Sequence, residues 1–123
     1  MKLLVIGGTS FVGRTIVSDA LGRGHAVTTF NRGLTGDDVD EVEAIHGDRS
    51  TDEGIQPLTG RTFDAVIDPG GLIPAHVFRT ARALAGSAPF YAFVSTTAVY
   101  RAWDVAPVNE STATWPGVPY EDG

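Results

Sequence analysis

Residues 2–15 read KLLVIGGTSFVGRT, and this stretch decides the fold. Leu3, Leu4, Val5 and Ile6 form an unbroken apolar run, then Gly7-Gly8 interrupts it, and a helix-like pattern opens near Phe11. A buried strand, a tight glycine turn and a helix N-terminus in that order gather free N–H groups and the positive end of a helix dipole, which makes an anion site. The spacing is Gly7-x-x-Ser10-x-x-Gly13. Gly7 permits the turn, the small Ser10 permits close approach of a pyrophosphate, and Gly13 permits helix and strand to pack closely. A second motif competes: Gly8-x-x-x-x-Gly13-Arg14-Thr15 approximates the triphosphate loop GxxxxGK[ST], with Ala65-Val66-Ile67-Asp68 as its magnesium-binding strand. Arg14 stands where that loop needs lysine, and a guanidinium does not substitute for the ammonium point charge. The plainest alternative is that Gly7-Gly8 is only a strand-to-helix turn, so the rest of the chain must decide.

The pattern continues outward from that stretch. Phe11–Leu21 is an amphipathic helix with Val12, Ile16 and Ala20 as its stripe, widened by Phe11, Val17 and Leu21, and ended by Gly22 and Gly24. HAVTTF, residues 25–30, is a second strand. The acidic connection 34–41 leaves room for one helical turn at most, and 41–46 is a short third strand. Asp52–Leu58 is a short helix capped by Ser50 or Thr51 and cut off by Pro57. FDAVID, residues 63–68, is the fourth strand and ends in Pro69-Gly70-Gly71. Pro74–Leu84 is a helix with Val77, Ala81 and Leu84 facing inward, and APFYAFV, residues 88–94, is the fifth strand. After Arg101 the periodicity dissolves. Residues 1–102 are therefore expected to form a Rossmann-like, doubly wound parallel sheet of order 3-2-1-4-5, and residues 103–123 an irregular tail. Such a fold binds its ligand outside the carboxyl ends of the strands, at the switch between strands one and four.

Composition narrows the function. The 123 residues are 42% apolar and 20% charged, which suits one globular domain. Without cysteine there is neither a disulfide framework nor a thiolate metal site, and His25, His46 and His76 have no ligand spacing. The net charge of −6 speaks against nucleic acid and anionic membrane as partners. No apolar run reaches membrane length and no basic leader precedes the first strand, so a cytoplasmic location is expected. Of the nine Lys and Arg residues only Lys2 is lysine. At the end of strand two, where an acid would bind a ribose 2′-hydroxyl, no acid lies between residues 26 and 36, and Arg32 is placed to pair with a 2′-phosphate. NADP is therefore the expected cofactor ahead of NAD.

On LLVIGGTSFVGRTIV, TTFNRG, HGDRS, FDAVIDPGG and FVSTTAVY, the chain resembles the N-terminal half of an extended or atypical short-chain dehydrogenase/reductase, more narrowly the NAD-dependent epimerase/dehydratase family. The resemblance spans residues 1 to about 102. It implies a cofactor set of Gly7, Thr9, Ser10, Phe11, Val12, Gly13, Arg32, Asp48, Arg49, Pro69, Gly70 and Gly71, with Asp48 touching the adenine. Thr96 would match the catalytic Ser/Thr, and a small sugar-like carbonyl or alcohol would be the substrate in the parent protein. A homodimer through helix 74–85 is implied too, with Val77 and Leu84 exposed where a neighbouring helix is missing.

The chain departs from the family at Ser10, where the glycine signature often has Gly, at Thr97 and Ala98, where the sugar-dehydratase branch has acids, and in its catalytic pair. None of Tyr91, Tyr100 and Tyr120 has a lysine four places on, so the catalytic Tyr-x-x-x-Lys pair is absent. The expectation is a fragment that stops short of that pair and is inactive alone. A non-catalytic NADP sensor, an RNA-binding relative and a phosphate-loop NTPase stay open as alternatives.

Overall fold

A computed structural model of the chain describes residues 1–117. It contains one five-stranded, all-parallel sheet of order β3-β2-β1-β4-β5. The strands are β1 (Lys2–Ile6), β2 (Ala26–Asn31), β3 (Glu43–His46), β4 (Ala65–Asp68) and β5 (Tyr91–Phe93). The helices are α1 (Phe11–Gly22), α2 (Asp52–Ile55), prolonged by a 3-10 turn at Gln56–Leu58, and α3 (Pro74–Leu84). The Thr51 hydroxyl caps α2 by accepting from the Gly54 N–H at 3.0 Å. The Rossmann-like expectation is borne out in both element order and sheet order.

The unbroken apolar run of β1 is explained by two cores, one on each sheet face. Leu3 and Val5 pack with Val17, Ala20 and Val27 under α1. Leu4 and Ile6 pack with Phe30, Ile55, Leu58 and Leu84 on the other face. Alternate residues of a strand point to opposite faces, so only a strand covered on both can be apolar at every position.

Three details differ from expectation. In α1 the buried residues are Gly13, Val17 and Ala20, while Phe11 is 87% and Val12 46% exposed. β1 ends at Ile6, and in the first turn of α1 only Gly13 is buried, against the Gly8 backbone. In α3, Thr80 and Leu84 are the buried residues, and Val77 and Ala81 are only half-buried. Leu84 is thus a core residue and not part of an exposed helix face; the exposed apolar residue of α3 is Phe78. From residue 101 no further helix or strand forms among the described residues. The segment nevertheless returns to bridge Tyr100 with Thr114, and Trp115 N–H donates to the Val99 carbonyl at 2.9 Å. The last six residues of the expected tail, Tyr120 included, lie outside the described residues.

Candidate dinucleotide site

The turn after β1 is shaped by three glycines. Gly7 and Gly8 both have φ +106°, a region that L side chains rarely adopt. A Cβ on Gly8 would meet the Thr29 side chain at 2.8 Å, and one on Gly13 would sit 2.7 Å from the Gly8 nitrogen. Around Gly7 there is open space instead. Gly8 and Gly13 therefore hold α1 against the strand, and Gly7 leaves room above it. Ser10 is the N-cap residue, but its side chain caps no N–H. The start of α1 thus faces the cleft without a side-chain acceptor in front of it, as an anion site requires.

Two adjoining clefts run along the carboxyl edge of the sheet, with Ser10, Gly70, Gly71 and Leu72 lining both. The first, of about 420 Å³, collects Gly7, Thr9, Arg32, Asp48 and Arg49 from the expected set. The second, of about 1010 Å³, takes in Pro69 and Thr96 and is walled mainly by apolar groups, among them Val77, Phe78, Phe93 and Val99. The convergence expected at the strand switch is therefore present for all but three residues of the set. Phe11 and Val12 line neither cleft, and Gly13 lies beneath the turn.

Local contacts fix the lips of the first cleft. The Asn31 side chain accepts from Gly33 N–H at 2.7 Å and donates to Asp38 at 3.1 Å. His46 Nε2 lies 2.8 Å from the other Asp38 oxygen. Loop 33–38 thus brings an acid back to the end of β2, which the linear sequence does not reveal. That acid is occupied: the hydrogen bonds from Asn31 and then His46 hold the Asp38 carboxyl below the usual carboxylate range. Arg32, in contrast, is exposed toward the cleft. Opposite it, Asp48 accepts from Ser50 N–H at 2.8 Å, and this bond lowers its pKa as well.

Arg49 lines the first cleft and is also tied into the fold by its side chain. Its guanidinium turns inward and donates to both oxygens of Asp68, at 2.9 and 2.6 Å, while Nε donates to the Thr80 hydroxyl at 3.1 Å. Asp68 is fully buried and also accepts from the Tyr91 hydroxyl at 2.7 Å. Arg49 apart, the members of this buried cluster are absent from the expected site set. Its one sequence signal is a carboxylate ending a buried strand, which demands a partner without naming it.

The same contacts argue against the triphosphate-loop reading. Asp68 is committed to Arg49, the Thr15 hydroxyl donates to the Phe11 carbonyl at 2.9 Å, and Arg14 reaches the Asp37 carbonyl at 3.3 Å. None of the three is placed to hold a magnesium triphosphate. Among the described residues no group of His, Cys, Asp and Glu could hold a metal ion, and no helix is long and apolar enough to cross a membrane.

Burial, and then the hydrogen bond to Asp68, push the Tyr91 hydroxyl well above the ordinary tyrosine value of about 10. A folded-state pKa above the unfolded one means stability that is present below about pH 10 and lost as pH rises through the folded value. Urea midpoints measured across alkaline pH should therefore fall above about pH 10, and Tyr91→Phe should flatten that slope.

No protein-family model matches the chain. A bifunctional pinoresinol-lariciresinol reductase of Forsythia intermedia is 41% identical over 44 residues, 36% of this chain and 14% of that protein. The UDP-glucose 4-epimerase of Thermus thermophilus, solved with NAD, superposes at TM-score 0.79 with 21% identity over 94% of this chain and 45% of its own. A Burkholderia multivorans protein described as a short-chain dehydrogenase/reductase, solved with NADP, superposes at 0.71 with 19% identity over 86% of this chain and 63% of its own. The chain thus spans less than half the length of that epimerase. The resemblance read from the motifs is matched in three dimensions: by fold, this chain is a Rossmann-type α/β unit of the kind found in nucleotide-sugar epimerases and short-chain dehydrogenases.

Proposed function

We propose that this chain is the cofactor-binding part of an NADP-preferring oxidoreductase of the epimerase and short-chain dehydrogenase type. The observation that carries the reading is the uncapped start of α1 over the Gly7–Gly13 turn, opening into a cleft with Arg32 at its far lip. Gly7, Ser10 and the first N–H groups of α1 take the pyrophosphate, and Phe11 and Val12 contribute backbone only. Arg32 takes the 2′-phosphate, Asp48 faces the adenine, and Gly70-Gly71 lies against the middle of the molecule. Bound nicotinamide supplies hydride exchange with a carbonyl or alcohol carbon of a sugar-like substrate. Thr96, in the second cleft, orients the substrate oxygen through its hydroxyl.

A second reading, binding without turnover by this chain, is favoured by one observation. Lys2, the only lysine, lies at the amino end of β1, on the sheet edge opposite Thr96. No proton-relay lysine therefore reaches the cleft, and the catalytic Tyr and Lys belong to the parent protein in this proposal. Dimerisation through the Phe78 side of α3 is part of the same proposal.

The test is an exchange of cofactor preference. Calorimetric titration should show NADPH binding at least tenfold more tightly than NADH, and Arg32→Asp should abolish or invert that ratio. An unchanged ratio in the variant would mean that Arg32 points into solvent.

A further inference from the structure

Two segments supply lips of the smaller cleft: 47–50, after β3, and 70–73, after β4. Each is closely packed where it leaves its strand. Gly47 lies against the Phe30 ring and the Gly54 carbonyl, Gly54 against the Asp48 carbonyl, and Gly71 against Val77 and Phe93. None of these sites has space for a Cβ. One buried ion pair joins the two lips. Arg49 is the residue after Asp48, and its carbonyl accepts from Arg79 at 3.3 Å. Its guanidinium holds both oxygens of Asp68, and Asp68 Oδ1 also accepts from the Gly70 N–H at 3.3 Å. Tyr91 on β5 and Thr80 on α3 fix the same pair from the remaining sides. A chain of polar contacts therefore runs from segment 47–50 to segment 70–73 through the Arg49 and Asp68 side chains.

We propose that Arg49 and Asp68 are positioning residues of the dinucleotide cleft, setting the separation between the Asp48 lip and the Gly70–Gly71 lip to the thickness of a flat base. The inference rests on the dinucleotide reading above. A bidentate guanidinium fixes both distance and plane, which a lysine ammonium does not.

Stability and positioning are separable by experiment, because a buried ion pair exchanged for apolar side chains of similar volume often leaves stability intact. The Arg49→Met/Asp68→Leu double variant should melt cooperatively near the wild-type temperature. It should bind both NADPH and 2′,5′-ADP at least tenfold more weakly. The Gly70 and Ser50 amide resonances of the ligand-free chain should shift together. If the double variant does not fold, Asp68→Asn keeps the shape and should show the same amide shifts with a smaller loss of affinity. A folded variant with unchanged affinity and unmoved amides overturns the proposal. Failure of the wild-type chain to bind NADPH would instead overturn the dinucleotide reading on which it rests.

Discussion

Replacing Arg49 alone with alanine is expected to lower the unfolding free energy by about 3–5 kcal/mol, a large share of the roughly 5–15 kcal/mol typical of a domain. The size follows from asymmetry. Asp68 has no solvent-accessible surface, and its Arg49 partner is only 14% exposed. With Arg49 gone, Tyr91 and the Gly70 N–H are the remaining donors to a carboxylate shut off from water. Continued burial of an unpaired charge is what makes the truncation costly. Tyr91→Phe, which removes one hydrogen bond and leaves the ion pair, should cost only about 1–3 kcal/mol. Urea unfolding of the three proteins gives the comparison. A surface ion pair supplies the contrast: Arg23 and Asp19, bonded at 2.7 Å, are both mostly exposed. Breaking that pair should move the midpoint very little.

Gly13→Ala should have the second largest effect, on binding as well as stability. The new methyl would sit 2.7 Å from the Gly8 nitrogen and 3.0 Å from its Cα, both backbone atoms that cannot swing aside. Relief requires α1 to move away from the turn, at about 1–3 kcal/mol for an overpacked contact. The same movement withdraws the helix N-terminus from the cleft. Dinucleotide affinity should therefore fall tenfold or more, which corresponds to about 1.4 kcal/mol. Gly22→Ala, at the far end of the same helix, is the control. A Cβ there meets nothing within 4 Å, so the change should raise stability by about 0.4–1 kcal/mol and leave binding unaltered.

The parts of this molecule that could be read from its sequence are those whose cause is local. The β1 run followed by Gly7-Gly8 predicts a buried strand and a turn because no other element combines that length with that stop. Pro74 and Gly86 bracket α3 for reasons of backbone geometry. The topology then brings Ser10, Arg32, Asp48 and Gly70 to one sheet edge, so their meeting could also be anticipated. What could not be read has a non-local cause. Helical periodicity treats Phe11, Val12 and Val17 alike, and only the packing of α1 on the sheet separates the exposed pair from the buried residue. The return of Asp38 to Asn31 and His46 depends on the path of an irregular loop. Arg49 and Asp68 are paired across β3, β4 and α3, and each had a simpler reading in sequence: a cofactor contact for one, a metal-binding strand end for the other.

The central claim is that the Gly7–Gly13 turn and Arg32 form a dinucleotide site. Calorimetric titration of the chain with NADPH, NADH and magnesium–ATP in parallel tests it most directly. The account predicts saturable one-to-one binding of NADPH, weaker binding of NADH and none of magnesium–ATP. Binding of magnesium–ATP alone, or of none of the three by a cooperatively folded chain, would contradict it.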